Sequence, residues 1–147
     1  MSANTASELA RTLGLMKTHA VCVEPGDPIS SAVDVMDIYQ ISSVPVVTSA
    51  GQLCGILSEQ DVLDELRVRA EVVGAMAGAA TLSTSRVDAI MSVPVSIEES
   101  TPLVEAAHLL LSSGFRRLPV VNSGNQVIGV LNRIDILQAL LDGSVEL

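Results

Sequence analysis

Gly55-Ile56-Leu57-Ser58-Glu59-Gln60-Asp61 runs from the end of an apolar strand into the start of a helix. Leu53 to Leu57 is apolar around a glycine, which lets another group come close to the backbone. Ser58 suits an N-cap, and Asp61 falls in the first helical turn, where the dipole favours a carboxylate. The free N–H groups of such a turn can bind an anion. A carboxylate beside them can accept hydrogen bonds from two adjacent hydroxyls, as a ribose offers. Gly129-Val130-Leu131-Asn132-Arg133-Ile134-Asp135 repeats the pattern 74 positions later.

The repeat extends well beyond the motif. Ala20 to Val23 reads as a short strand, matched by Val95 to Ile97. Asp27-Pro28 reads as an N-cap and a first-turn proline, matched by Thr101-Pro102. Ile29, Ala32, Val33 and Met36 then form one apolar helix face, reproduced by Leu103, Ala106, Ala107 and Leu110. Ser43 to Thr48 is β-rich around Pro45, and proline there suggests an edge or the first residues of a strand. Its counterpart is Leu118-Pro119-Val120-Val121. Ser49-Ala50-Gly51 and Ser123-Gly124-Asn125 read as hairpin turns. The last helix runs from Asp135 to Leu141. Met16 and Met91 correspond if one extra residue is allowed near His19. The chain is therefore two copies of one β-α-β-β-α unit. Each copy is too small to bury its sheet alone, so the two are expected to pack face to face.

Outside the repeats, Thr5 to Met16 has the spacing of a short amphipathic helix, with Leu9, Leu13 and Met16 on one face. Asp64 to Ser85 separates the copies. Its first part, through Met76, continues the preceding helix. Ala75 to Ala80 is rich in Ala and Gly, and Thr81 to Ser85 is polar and turn-like. A helix extension followed by a flexible linker is the expectation. The alternative is a small-residue surface packed on a partner subunit.

Composition narrows the function classes. The chain is 48% hydrophobic with one Phe, one Tyr and no Trp, so Val, Ile, Leu, Ala and Met must build the core. A mean hydropathy of +0.48 points to apolar surface buried between subunits. No apolar run reaches the ~18 residues that span a bilayer. The N-terminus lacks the layout of a signal peptide, which makes the cytoplasm the default and a membrane no partner. A net charge of −9 argues against nucleic acid. Cys22 and Cys54 lie in strand-like runs and read as buried thiols. Two histidines, His19 and His108, with two unpaired cysteines give no metal-site spacing. No nucleophile or acid–base constellation supports catalysis.

The ordered set Met16, Val21, Pro28-Ile29, Ala32, Met36, Val44-Pro45-Val46-Val47, Gly55-Ile56-Leu57-Ser58 and Asp61 resembles a cystathionine β-synthase (CBS) domain. So does its second occurrence: Met91, Val95, Pro102-Leu103, Ala106, Arg117-Leu118-Pro119-Val120-Val121, Gly129-Val130-Leu131 and Asp135. The whole resembles a tandem CBS pair, the Bateman module. The resemblance implies an α/β fold of two repeats packed through their sheets with pseudo-two-fold symmetry. The segments are then 1–12 N-terminal, 13–67 first repeat, 68–86 helix extension and linker, 87–141 second repeat and 142–147 tail.

The resemblance also implies a ligand: AMP, ADP, ATP or S-adenosylmethionine, bound in clefts between repeats, with no cofactor required. Asp61 and Asp135 would hold the ribose hydroxyls. Ser58 and Asn132 would sit near the phosphates. Asn132 departs from the family's Ser/Thr, yet an asparagine can still cap the helix. The base would be held by Ala20, Val21, Val44 and Val46, or by Pro94, Val95, Leu118 and Val120. Read without the resemblance, each aspartate could be a helix-start carboxylate worth ~0.3–1 kcal/mol. Arg116, Arg117 and Arg133 are the basic concentration flanking a motif, and arginine suits phosphate. Solvated arginines paired with carboxylates are the other reading. The expected function is a regulatory sensing module that works as a homodimer and is read by a separate effector protein. The alternative is a structural dimerisation module with empty pockets.

Overall fold

The structure is a computed structural model in which residues 12–144 are described. The chain forms two compact units. One is Val21–Pro94. The other joins residues 12–20 to residues 95–144. Of the expected N-terminal amphipathic helix, residues 12–15 are helical and the earlier part lies outside the described residues.

In the Val21–Pro94 unit, α1 (Ile29–Tyr39) buries Ile29, Ala32 and Met36. Val33, expected on the same face, is exposed instead. The helix starts one residue later than its sequence suggests. Pro28 is the N-cap, and Asp27 Oδ2 accepts a hydrogen bond from the Glu24 N–H at 2.8 Å rather than capping. β1 (Ser43–Val47) pairs antiparallel with β2 (Leu53–Ser58), with an irregularity between Val46 and Val47.

The strand expected at Ala20–Val23 shrinks to one parallel bridge, Val23 to Val46. Val23 N–H donates to Pro45 O at 3.0 Å and Val47 N–H to Val23 O at 2.8 Å. The next ladder bond towards the N-terminus would need an N–H at position 45, and proline has none. Proline thus sits inside β1 and stops the neighbouring strand, rather than marking a sheet edge.

The segment between the repeats is not a flexible linker. α2 (Glu59–Val73) ends at Gly74, and α3 (Ala75–Thr84) folds back along it. The small residues bring the two helices together within one chain: a Cβ on Gly78 would lie 2.9 Å from the Ala70 nitrogen. Leu82 of α3 is buried in the unit's core with Val44, Val46 and Leu57. Arg69 of α2 donates to Ser85 Oγ at 2.7 Å, fixing the far end of α3. Thr81 to Thr84, expected to be turn-like, is helical.

A 3-10 turn (Val87–Ala89) leads to Met91 and Ser92, which lie alongside β2. Ile56 N–H donates to Ser92 O at 3.1 Å, and Ser92 N–H to Ile56 O at 2.8 Å.

In the other unit, β3 (Ile97–Glu98) runs parallel to β4 (Arg117–Val121), which pairs antiparallel with β5 (Val127–Asn132). β3 begins at Ile97 rather than Val95, because Pro119 ends the ladder as Pro45 does. α4 (Leu103–Ser113) buries Leu103, Ala106, Ala107 and Leu110, the face the spacing predicts. The β4–β5 turn places Asn125 at φ 60, where the first repeat has Gly51 at φ 82. Asparagine is among the few side chains that tolerate this region. α5 (Arg133–Leu141) follows.

Here too an outside segment lines the last strand. Lys17 and Val130 exchange backbone bonds, 2.8 Å in each direction. Each methionine strap therefore lies on the motif of the repeat it does not precede: Met16-Lys17 on Gly129-Val130, and Met91-Ser92 on Gly55-Ile56. Among the described residues no helix is long and apolar enough to cross a membrane.

Candidate functional site

The first motif is closed by its own hydrogen bonds. Ser58 ends β2 in extended conformation and caps α2. Its Oγ accepts from the Asp61 N–H at 3.0 Å, and its own N–H donates to Asp61 Oδ2 at 3.0 Å. This capping box satisfies two N–H groups that the helix itself leaves free. Asp61 Oδ1 accepts from the Ser92 hydroxyl at 2.9 Å. Both oxygens of the expected ribose ligand are thus engaged within the unit.

The second motif differs at each of these points. Asn132 occupies the N-cap position, but its side chain makes no cap bond, contrary to the sequence expectation. Its Nδ2 instead donates to Asp135 Oδ2 at 3.1 Å. Asn132 Oδ1 is buried without a partner. Lys17 Nζ stands 4.0 Å from Asp135 Oδ2. Among the described residues, Asp135 Oδ1 accepts nothing. Lys17 and Asp135 face a cavity of about 390 Å3.

Three arginines surround the second cap. The Arg133 N–H donates to Arg116 O at 2.7 Å, which holds the start of α5 against the start of β4. Arg116, Arg117, Asn132 and Arg133, with Ile134 and Leu137, line a cavity of about 430 Å3. Among the described residues, Arg67, Arg69 and Arg86 pair with Asp64, Glu65 and Asp88, whereas these three arginines pair with no carboxylate. Burial, and then the neighbouring Arg116 charge, push the Arg117 pKa below its ordinary value. A guanidinium keeps its proton under those conditions, so Arg117 is a half-buried cation with no paired carboxylate among the described residues. The first repeat has the same backbone joint, Glu59 N–H to Ser42 O at 2.9 Å, but with neutral or acidic side chains.

The residues expected around a base divide into two groups. Val44, Val46, Leu118 and Val120 are fully buried, and their side chains belong to the two cores. Ala20, Val21, Pro94 and Val95 are half-buried. Sequence reasoning missed Lys17 and Ser92 altogether. The signal was present, since each directly follows one of the two corresponding methionines.

Burial raises the pKa of both thiols, with Asp88 adding to the effect at Cys54. Both are half-buried, and Cys54 donates to Val46 O at 3.3 Å. His19 and His108 are exposed. Among the described residues no group of three or more His, Cys, Asp or Glu is placed to hold a metal.

Comparison with known proteins identifies the family of the repeats. The CBS domain family matches residues 8–68 and 87–142. Inosine-5'-monophosphate dehydrogenase of Methanocaldococcus jannaschii is 30% identical over 119 residues, covering 80% of this chain and 21% of the dehydrogenase. The chloroplastic CBS domain-containing protein CBSX2 of Arabidopsis thaliana is 26% identical over 137 residues, covering 81% of this chain and 58% of CBSX2. The chain thus spans about a fifth of one relative and under six-tenths of the other. The crystal structure of CBSX2 in complex with AMP matches 91% of this chain and 98% of that one, at 27% identity and a TM-score of 0.73. With two repeats of β-α-β-β-α type, each ending in its own glycine-to-aspartate motif, the chain belongs to the CBS-domain family as a tandem pair.

Proposed function

We propose that this CBS pair is a regulatory sensing module for an adenosine-containing ligand, AMP, ADP, ATP or S-adenosylmethionine, and performs no catalysis itself. The observation that carries the reading is the set of three arginines that line one cavity with Asn132 and, among the described residues, pair with no carboxylate. Uncompensated cations are costly to gather, and in a chain of net charge −9 an anionic ligand supplies what they lack. Arginine suits a phosphate and the Asp135 carboxylate suits a hydroxyl, and a nucleotide carries both groups. The AMP complex of CBSX2 supports the same ligand class. Ligand binding regulates an effector only through a difference in affinity between two states.

Thermal unfolding with AMP, ATP and S-adenosylmethionine tests the reading. A ligand at 100 times its Kd adds about 2.7 kcal/mol of stability. No shift with any of the three would leave the dimerisation module as the function.

We further propose a cytoplasmic homodimer. Ile38 and Tyr39 on α1 are 72% and 57% exposed, and Leu111 on α4 is 46% exposed. Such apolar helix surface suits a self-complementary two-fold contact. Sedimentation at micromolar concentration is expected to give twice the chain mass of 15.3 kDa. A monomer alone would refute it.

A further inference from the structure

We propose that Ser92 is the affinity-setting residue of the first motif, where its hydroxyl takes the place of a ligand hydroxyl on Asp61 and holds that site closed. The proposal rests on the ligand class given above and adds which motif is open to it.

The argument begins with the acceptors. A vicinal diol binds a carboxylate best when each hydroxyl reaches its own oxygen. Asp61 Oδ2 already accepts the Ser58 N–H at 3.0 Å, and Oδ1 accepts the Ser92 hydroxyl at 2.9 Å. Ser92 does not reach Asp61 by a chance side-chain rotation. Its backbone is paired with Ile56 by two hydrogen bonds, 3.1 and 2.8 Å long. Met91 packs on Gly55 just before it. The serine is therefore delivered to the aspartate by a fixed strap. A sugar hydroxyl must displace a preorganised neighbour whose entropy has already been lost.

The second unit carries the control within the same chain. Its strap residue at the matching place, after Met16, is Lys17. Asp135 Oδ2 accepts from Asn132 Nδ2 at 3.1 Å and lies 4.0 Å from Lys17 Nζ, and among the described residues Oδ1 accepts no hydrogen bond. A lysine at that distance draws anionic ligands in and does not mimic a hydroxyl. The strap residue thus separates the motifs: serine closes the first, and lysine leaves the second open.

Calorimetric titration of the full chain with AMP tests this. Wild type is expected to take one AMP per chain. Ser92→Ala is expected to take a second, with affinity at the first motif raised roughly tenfold or more, the scale of one hydrogen bond to a charged group. Ser92→Thr, which keeps the hydroxyl, is expected to behave as wild type. Adding Asp61→Ala to Ser92→Ala is expected to abolish the second site. Wild type taking two equivalent AMP molecules would overturn the proposal, and so would Ser92→Ala binding as wild type does or more weakly. If neither wild type nor Ser92→Ala binds AMP, the ligand class itself is wrong and the proposal falls with it.

Discussion

Gly129→Ala is expected to destabilise the protein by roughly 2–3 kcal/mol, the upper range for forcing an extra carbon into packed structure. A Cβ at position 129 would lie 2.6 Å from Met16 Cγ and 2.7 Å from its Sδ, and would also press on the Lys17 carbonyl oxygen. That carbonyl accepts the Val130 N–H at 2.8 Å, so moving it breaks the pairing of the strap with β5. Gly55→Ala is expected to cost less, roughly 1 kcal/mol. The nearest obstacle there is the Met91 thioether, with Cγ at 2.9 Å, while the Ser92 carbonyl stands off at 3.2 Å. A methionine side chain can rotate away where a paired carbonyl cannot. Met91→Ala should therefore relieve Gly55→Ala, and Met16→Ala should relieve Gly129→Ala only in part. Urea unfolding of the four variants measures this. Equal losses at the two glycines would show that the carbonyl is not the obstacle.

Both glycines illustrate what the sequence could and could not tell. A glycine inside an apolar strand signals close approach, and that much was readable at Gly55 and Gly129. What approaches was not, because Met91 and Met16 come from segments whose order in the chain assigns each to the opposite repeat. The hairpins, the α4 face and the motif positions were legible because a 74-residue repeat states them twice. The short strands at Val23 and Ile97 could have been foreseen from Pro45 and Pro119, whose missing N–H limits the neighbouring ladder. The helix α3 was hidden by small residues with little amphipathic pattern, and its place is set by tertiary packing of Gly78 and Leu82. In the site, the arginine cluster was visible as charge in the sequence, and the structure adds that it pairs with no carboxylate among the described residues. The hydrogen bond from Ser92 to Asp61 spans 31 residues and no local pattern announces it.

Replacing both Arg117 and Arg133 with alanine is expected to weaken ATP binding by roughly 100-fold, about 3 kcal/mol for two charge-assisted phosphate contacts. Both guanidinium groups lie beside the cap of α5, and among the described residues no carboxylate pairs with either. Half-burial shields them from screening ions, which raises the value of each contact over that of a surface pair. The double variant should also lose most of the salt dependence of binding, since the steering charge is gone. Adenosine, which has no phosphate, should bind the variant about as well as wild type. Ser58→Ala is expected to change ATP affinity little, because Ser58 Oγ is committed to the Asp61 N–H and the next side chain, Glu59, repels a phosphate. Its cost should fall on stability instead, about 1 kcal/mol for a lost N-cap. Calorimetry with ATP and adenosine on the two variants separates the motifs. Full ATP affinity in the arginine variant, with loss in Ser58→Ala, would place the phosphate at the first motif and leave the three arginines without a role.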